Sequence, residues 1–291
     1  MLQRRFGAAD GAGLFGVVSG VLFTVSFVAR AVIAVDSIEC RGRHASWWKE
    51  QRLSIKNQAA NAVKATLKAT IAALLPRDCL LCGAASDNAV LCPSCNDHLP
   101  RLTTQRCPQC ALPTPNAEPC GACLKQAPYF DATTAIWQYD FPLDRMIQSL
   151  KYSRRLASAD FFGAELAMLP GTPPDFILPV PLSAQRLAQR GFNQSIEVAR
   201  PLARQLSVPL ELKHIHRHRD TTPQATLPWK ERAKNIRHAF ECRLDLTGKT
   251  VLVVDDVMTT GATLNELART LKAHGAVRVE NRVLARALKH G

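Results

Sequence analysis

Acidic residues are scarce in this sequence. It has 24 aspartate and glutamate residues against 37 lysine and arginine residues, so its formal net charge is +13 at pH 7. The excess is uneven, because residues 79–131 carry 3 basic and 4 acidic side chains whereas residues 132–291 carry 23 and 15. A chain with this charge favours a polyanionic partner, and both a small phosphorylated molecule and a nucleic acid fit that description.

Several common catalytic motifs are also missing. The run GKT followed by VLVVDD suggests a P-loop ATPase, but Arg243 stands where a P-loop needs its first glycine, and the run precedes a strand instead of following one. A receiver domain needs most of its sheet after the paired acids, where only 35 residues remain. No Ser–His–Asp or Cys–His set can be assembled. These absences exclude an ATPase and a receiver, and they argue against covalent nucleophilic catalysis.

Cysteine, by contrast, is concentrated in one segment. Eight of the ten cysteines form four CxxC pairs, with nine residues between the two pairs of each set. Two CxxC knuckles complete a tetrahedral, all-cysteine zinc site, whereas disulfides suit secreted chains and redox pairs need a surrounding βαβ pattern. We therefore predict two structural zinc sites in a double zinc ribbon over residues 79–126. Their ligands are Cys79, Cys82, Cys92 and Cys95 in the first site, and Cys107, Cys110, Cys120 and Cys123 in the second.

Residues 11–29 form an apolar run of nineteen residues without a charge. The run is compatible with a membrane anchor or with the apolar part of a signal peptide. A third explanation is a start site assigned too early, so that residues up to about 60 are not translated. Export conflicts with eight zinc-binding thiolates, so we expect a cytoplasmic protein, anchored through residues 11–29 only if they are translated.

The stretch VLVVDDVMTTGATL, residues 251–264, predicts a strand-to-helix junction. Four apolar residues without alternation indicate a strand buried on both faces, and leucines at helical spacing follow. At such junctions ligands bind at the carboxyl end of the strand, where a helix N-terminus presents free N–H groups to an anion. Gly261 and the flanking threonine hydroxyls suit phosphate, whereas Asp255 and Asp256 suit sugar hydroxyls or a cation such as magnesium. A ribose 5-phosphate offers both a phosphate for the loop and hydroxyls for the acids. The alternative is that Asp255 and Asp256 merely cap the helix that follows.

The rest of the chain alternates strands and helices. Residues 132–139, 176–181 and 210–215 favour strands, and residues 141–152, 160–169 and a segment from Ile196 favour helices. Such alternation predicts an α/β fold with a parallel sheet. The domain organisation that we expect is an extension over residues 1–62, a short helix and linker over 63–78, the double zinc ribbon, and an α/β domain over 130–291.

The paired acids and the TTGAT loop resemble the phosphoribosyl-pyrophosphate (PRPP) signature of type I phosphoribosyltransferases, and match it at every defining position. In that family the acids contact the ribose hydroxyls and the loop holds the 5-phosphate. The resemblance implies a type I phosphoribosyltransferase-like parallel sheet with helices on both faces, and PRPP bound with magnesium. It assigns catalysis to Asp255 and Asp256, and PRPP binding to both of these and to Thr259, Thr260, Gly261, Ala262 and Thr263.

Residues 79–291 as a whole resemble the ComF family, in which a double zinc ribbon precedes a phosphoribosyltransferase-like domain. The four CxxC pairs, LKY at residues 150–152, PVPLSAQRLAQRGFNQ and TPQATLPWKERAKNIRHAF carry this resemblance. Chains of the family usually begin with a short helix like residues 63–76, which supports the early-start explanation for residues 1–60.

The same resemblance implies further roles. Arg186 and Arg190 belong to a pyrophosphate-binding loop, and Gln224, Arg232 and Asn235 to a mobile flap over PRPP. It implies displacement of pyrophosphate at the anomeric carbon of the ribose, with an unknown acceptor and a role in competence and DNA uptake. The alternative is a PRPP-sensing module that handles single-stranded DNA and transfers nothing. Single-stranded DNA and the competence machinery are therefore expected partners; the oligomeric state stays open.

Overall fold

The computed structural model describes residues 54–55, 57–61, 63, 78–86, 89–152, 156–218 and 236–288. The chain divides into two compact units, residues 1–79 with 83–92 and residues 80–82 with 93–291. The apolar run, the predicted helix after residue 63 and the predicted flap residues Gln224, Arg232 and Asn235 lie outside the described residues. Among the residues that are described, no helix has the length and apolar character needed to cross a membrane.

A parallel sheet forms the centre of the larger unit. Four strands lie in the order β1-β6-β5-β2, and every neighbouring pair is parallel. Two short strands, β3 and β4, form a separate antiparallel pair. The six strands are β1 (Ala132–Gln138), β2 (Phe176–Pro179), β3 (Ile215–Arg217), β4 (Phe240–Cys242), β5 (Thr250–Met258) and β6 (Arg278–Arg286).

Helices cover both faces of this sheet. Val251 and Val253 of β5 share a core with Leu264 and Leu267 of α7 on one face. Because side chains alternate along a strand, Leu252 points to the opposite face, where α4 and α6 contact the sheet. The predicted α/β architecture is thus confirmed. The helices are α1 (Pro93–Asp97), α2 (Gly121–Lys125), α3 (Leu143–Tyr152), α4 (Leu156–Ala167), α5 (Ala184–Arg190), α6 (Gln194–Leu206) and α7 (Ala262–Ala273).

Two strand expectations differ from the structure. The segment expected as a strand over residues 210–215 instead contains an isolated bridge at Leu210 and a bend, and only its last residue, Ile215, belongs to a strand, β3. The cause is local, because a side-chain oxygen of Glu211 accepts hydrogen bonds from the backbone N–H groups of Lys213 and His214 and turns the chain. Strand β6 was not predicted at all, since charged residues interrupt its apolar positions; it nevertheless lies inside the sheet, between β1 and β5.

Candidate functional site

The paired carboxylates lie at the carboxyl end of β5. Asp256 is buried, with 6% of its surface exposed, and Asp255 is half-buried. One oxygen of Asp255 accepts hydrogen bonds from the Asp256 backbone N–H at 2.9 Å and from the Ser195 hydroxyl at 3.1 Å. Oδ1 of Asp256 accepts from the Val257 N–H at 2.8 Å, and its buried Oδ2 contacts the ammonium group of Lys151. The site therefore keeps acceptor capacity for hydroxyl groups or a hydrated cation.

Lys151, in the last turn of α3, neutralises part of this charge. Its Nζ lies 2.5 Å from Oδ2 of Asp256, and both side chains are largely buried. Burial by itself lowers the pKa of Lys151, but the Asp256 carboxylate outweighs burial and raises that pKa. Burial by itself also raises the pKa of Asp256, but Lys151 outweighs it and holds that pKa below its ordinary value. The sequence did not single out this ion pair.

Asp255 behaves differently from its neighbour. Burial, and then the negative charge of Asp256, raise the pKa of Asp255 to about 7. Near pH 7 Asp255 is therefore close to half-protonated, whereas Asp256 stays ionised and pairs with Lys151. An adjacent pair whose pKa values are pushed apart in this way is typical of a functional site.

The predicted phosphate loop follows β5 directly. Gly261 adopts a left-handed backbone conformation with φ of +80° and N-caps α7, which is twelve residues long. A Cβ atom at this position would lie 2.5 Å from Cε of Met258. The hydroxyl of Thr260 accepts a hydrogen bond from the Ala262 N–H and fixes the turn. The loop thus begins a twelve-residue helix within a few residues of the carboxylates, and a helix N-terminus of this kind suits an anion.

The neighbouring strand end contributes through α5 and α6. Asn193 caps α6 by accepting a hydrogen bond from the Ser195 N–H, and its amide donates to the carbonyl of Val180, just after β2. These bonds hold Ser195 against Asp255. Arg190, half-buried at the end of α5, donates to Gln194 at 3.1 Å, and its charge also lowers the pKa of Asp256.

The structure places some of the predicted residues beside one another. Arg190 lies near enough to the carboxylates for its charge to act on Asp256, and Arg186 lies on the same short helix, where it is half-buried. Ser195 was missed, although a serine that follows a capping asparagine indicates a helix start. The predicted flap residues Gln224, Arg232 and Asn235 lie outside the residues that the structure describes.

The cysteines form the two predicted groups. The four sulfur atoms of each group lie within 4.8 Å of one another. In the second group, Cys110 and Cys120 have their sulfurs 3.5 Å apart. Four thiolates that bind zinc at ~2.3 Å in a tetrahedron are separated by roughly 3.8 Å, so both groups fit a zinc ion.

The backbone repeats in the two ribbons. The N–H of Cys79 donates to the carbonyl five residues later, and the N–H of Gly83 donates back to Cys79. Cys107 and Ala111 make the same two bonds, and both Gly83 and Ala111 have positive φ. A short helix, α1 or α2, then carries the last cysteine of each set, Cys95 or Cys123. This repetition is what two zinc knuckles of the same type require.

The thiol groups of the second ribbon need a cation. Burial raises the pKa of Cys107, but backbone hydrogen bonds from Cys110, Cys120 and Gln109 outweigh burial and lower that pKa to about 7. Burial raises the pKa of Cys110 to about 11 and that of Cys123 still further. Zinc binds cysteine as the thiolate, so metal binding would remove the protons that burial favours on Cys110 and Cys123, and a site filled by four cysteines leaves no position for a substrate. The zinc sites are therefore structural.

Arg286, the last residue of β6, joins this ribbon to the phosphate loop. Its side chain is 2% exposed, and its Nε donates to the carbonyl of Cys110 at 2.8 Å. Its Nη1 donates to the carbonyls of Met258 and Ala287 at 2.9 and 2.8 Å, and also to that of Thr259. Nothing in the sequence indicates this contact, since an arginine at a strand end usually faces solvent.

Family comparisons agree with this architecture. Residues 193–290 match the model of the phosphoribosyl transferase domain, and residues 70–124 match that of the double zinc ribbon domain. The first segment contains Asp255, Asp256 and the loop that follows them, and the second contains the eight clustered cysteines. The fold and the cysteine clusters thus define a phosphoribosyltransferase-type protein that carries a double zinc ribbon.

Similar proteins specify the family. DNA utilization protein YhgH of Escherichia coli O157:H7 is 37% identical over 191 residues, which are 62% of this chain and 84% of that protein. Competence protein F of Haemophilus influenzae is 33% identical over 186 residues, covering 59% of this chain and 80% of that one. Competence protein ComFC of Bacillus subtilis is 27% identical over 203 residues, covering 64% and 79%. The chain belongs to this family, the ComF family.

Proposed function

We propose that the chain binds PRPP with magnesium at the carboxyl edge of its sheet and transfers the phosphoribosyl group to an acceptor. One observation carries the proposal. Two carboxylates at the end of β5 are followed, within one loop, by a left-handed glycine that caps a twelve-residue helix. This juxtaposition offers acceptors for two sugar hydroxyls beside donors for a phosphate, which is the pattern of a ribose 5-phosphate.

Each part of the site has a role in this proposal. The 5-phosphate binds to the loop from Thr259 to Thr263, and the ribose hydroxyls donate to the oxygens of Asp255 and Asp256. The ribose hydroxyls would compete with Lys151 for Oδ2 of Asp256. Lys151 is then available to the pyrophosphate group. Arg186 and Arg190 would hold pyrophosphate oxygens, since guanidinium groups bind such oxygens in pairs.

The chemistry needs positioning more than reactive side chains. A nucleophile displaces pyrophosphate at the anomeric carbon. Positive charge therefore develops on the ribose while negative charge develops on the departing pyrophosphate. The chain would orient the ribose through its hydroxyls, neutralise charge with its basic residues and exclude water. Magnesium would offset the charge of the pyrophosphate, and carboxylates such as Asp255 and Asp256 are ligands of the type that it prefers.

The acceptor belongs, in our proposal, to the handling of DNA. Relatives of this chain are named for DNA utilization and for competence, and residues 132–291 carry an excess of eight basic side chains, 23 against 15. The same observations favour a second candidate, a PRPP sensor that handles single-stranded DNA without transfer. Pyrophosphate release from PRPP and magnesium, with and without candidate bases and single-stranded DNA, separates the two candidates.

Calorimetry with PRPP and magnesium tests the binding step. Asp255→Asn keeps the Lys151–Asp256 pair, and it should weaken PRPP binding about ten- to a hundredfold, since a charge-assisted hydrogen bond contributes roughly 1.5–3 kcal/mol. Asp175→Asn is the matched control, because Asp175 is an exposed aspartate at the opposite end of the sheet, paired with Lys249. Equal affinity of the Asp255 variant and the wild type, with both folded, would refute the proposed ribose site.

A further inference from the structure

Arg286 carries a buried positive charge that no carboxylate balances. All four of its hydrogen bonds go to backbone carbonyl groups, and no acidic side chain among the described residues forms an ion pair with it. An isolated buried charge is strongly unfavourable unless an opposite charge lies nearby.

The second zinc ribbon supplies that opposite charge. Arg286 contacts the carbonyl of Cys110, and the charges on the sulfurs of Cys110, Cys120 and Cys123 act on its guanidinium group. Four thiolates around one Zn²⁺ leave a net charge of about −2. The ribbon therefore holds Arg286 by one hydrogen bond and by charge, and both depend on an intact cluster.

The other end of the guanidinium group orients the phosphate loop. Arg286 binds the carbonyls of Met258 and Thr259, the two residues that lead into the loop. In a planar trans peptide the C=O and the following N–H point in opposite directions. With these two carbonyls turned toward Arg286, the N–H groups of Thr259 and Thr260 point away from it, as an anion-binding nest requires.

We propose that Arg286 is a positioning residue that makes anion binding by the loop depend on zinc in the second ribbon. Loss of this zinc would release the Cys110 backbone and the charge that holds Arg286, and the loop carbonyls would lose their common donor. The inference rests on the proposed phosphate site in the loop. By linkage, a bound phosphate group would in turn retain the zinc more tightly.

The test compares two buried arginines of the same strand in the zinc-loaded protein. Arg286→Lys keeps the charge but loses the guanidinium fork that reaches four carbonyl groups at once. Arg282→Lys is the matched control, because Arg282 is also buried in β6 and donates only to carbonyls at the end of α4 and just beyond it. Arg286→Lys should retain two zinc ions and weaken PRPP binding about tenfold or more, whereas Arg282→Lys should change affinity less than threefold.

Removing the second zinc gives an independent arm. Cys120→Ser should lower zinc content to one ion per chain and weaken PRPP binding as much as Arg286→Lys does. If the coupling runs through Arg286, the double variant should lose little more than either single variant, as in a double-mutant cycle of interacting groups. Fully additive losses, or a Cys120 variant that is folded and binds PRPP normally, would overturn the proposal.

Hydrogen exchange of the loop separates this inference from the proposed function. The amides of residues 259–261 should exchange faster in both single variants, and in wild-type protein stripped of zinc, but not in Arg282→Lys. This readout needs no ligand, so it supports or refutes the coupling even if the wild type fails to bind PRPP. Hydrogen exchange also tests the coupling if Arg286→Lys does not fold, because the comparison can then be made between wild-type protein with and without zinc. Unchanged exchange after zinc loss would overturn the coupling.

Discussion

Lys151→Met isolates the charge that the buried lysine supplies to the two acids. The variant keeps most of the volume of the side chain but leaves Asp255 and Asp256 adjacent and without the cation that contacts Asp256, so that only the weaker effect of Arg190 remains. At the 2.5 Å separation of Lys151 and Asp256, two unit charges attract with about 7 kcal/mol at an effective dielectric constant of ~20, before desolvation is counted. Removing one partner of a buried pair costs about 3–5 kcal/mol of unfolding free energy.

The loss should depend on pH in a defined direction. Without Lys151 the pKa of Asp256 rises, and the pKa of Asp255 is already raised to about 7 in the wild type. The unfolded chain releases both protons near pH 4, so between pH 4 and 7 the folded variant binds more protons than the unfolded variant. Stability of the variant must then fall as pH rises. The difference from wild type should be larger at pH 8.5 than at pH 6.

Urea unfolding of the zinc-loaded protein measures this difference. Lys249→Met is the matched control, because Lys249 pairs with Asp175 at 3.1 Å but both side chains are exposed. An exposed pair contributes about 0–1 kcal/mol, and its loss should depend little on pH in this range. If Lys151→Met also costs less than about 1 kcal/mol at both pH values, the buried pair does not stabilise the site and the reasoning is wrong.

Three further predictions concern the loop, the acids and the metal. Gly261→Val should abolish PRPP binding in calorimetry, because valine resists positive φ and its Cβ would meet Met258. Gly248→Val is the control, since Gly248 has a similar φ but open space around it. This control should cost about 1–2 kcal/mol of stability and leave PRPP binding intact. PRPP affinity should rise from pH 6 to pH 8 as Asp255 loses its proton, more steeply than in Asp255→Asn; identical slopes would contradict this. Elemental analysis should find about two zinc ions per chain, and disulfides mapped between the paired cysteines would contradict the zinc sites.

The features that the sequence predicted are those with a local signal. The apolar run of β5, the acids that end it and the CxxC spacing each lie within a few residues, so period and spacing suffice. The turn at residues 246–249 is of the same kind, with Gly248 at φ +75° and a hydrogen bond from the Lys249 N–H to the Leu246 carbonyl.

The features that were missed depend on contacts between distant segments. Lys151 and Asp256 are about a hundred residues apart in the sequence. Nothing in the sequence near either residue indicates that they pair. Strand β6 was missed because Arg282 and Arg286 look exposed in the sequence, whereas both are buried with backbone carbonyls as partners. Such partners carry no side-chain signature, so no pattern of residues could reveal them.

The position of β6 has a consequence for synthesis on the ribosome. Among the described strands it comes latest in the sequence, yet it lies between β1 and β5 and pairs with both. While the chain is being made, β2 and β5 can pair as soon as they emerge, but β1 must wait for residues 278–286 with its backbone groups unpaired. Strands left open in this way invite pairing with other chains. We therefore expect the nascent protein to be most exposed to aggregation in the interval just before β6 leaves the exit tunnel.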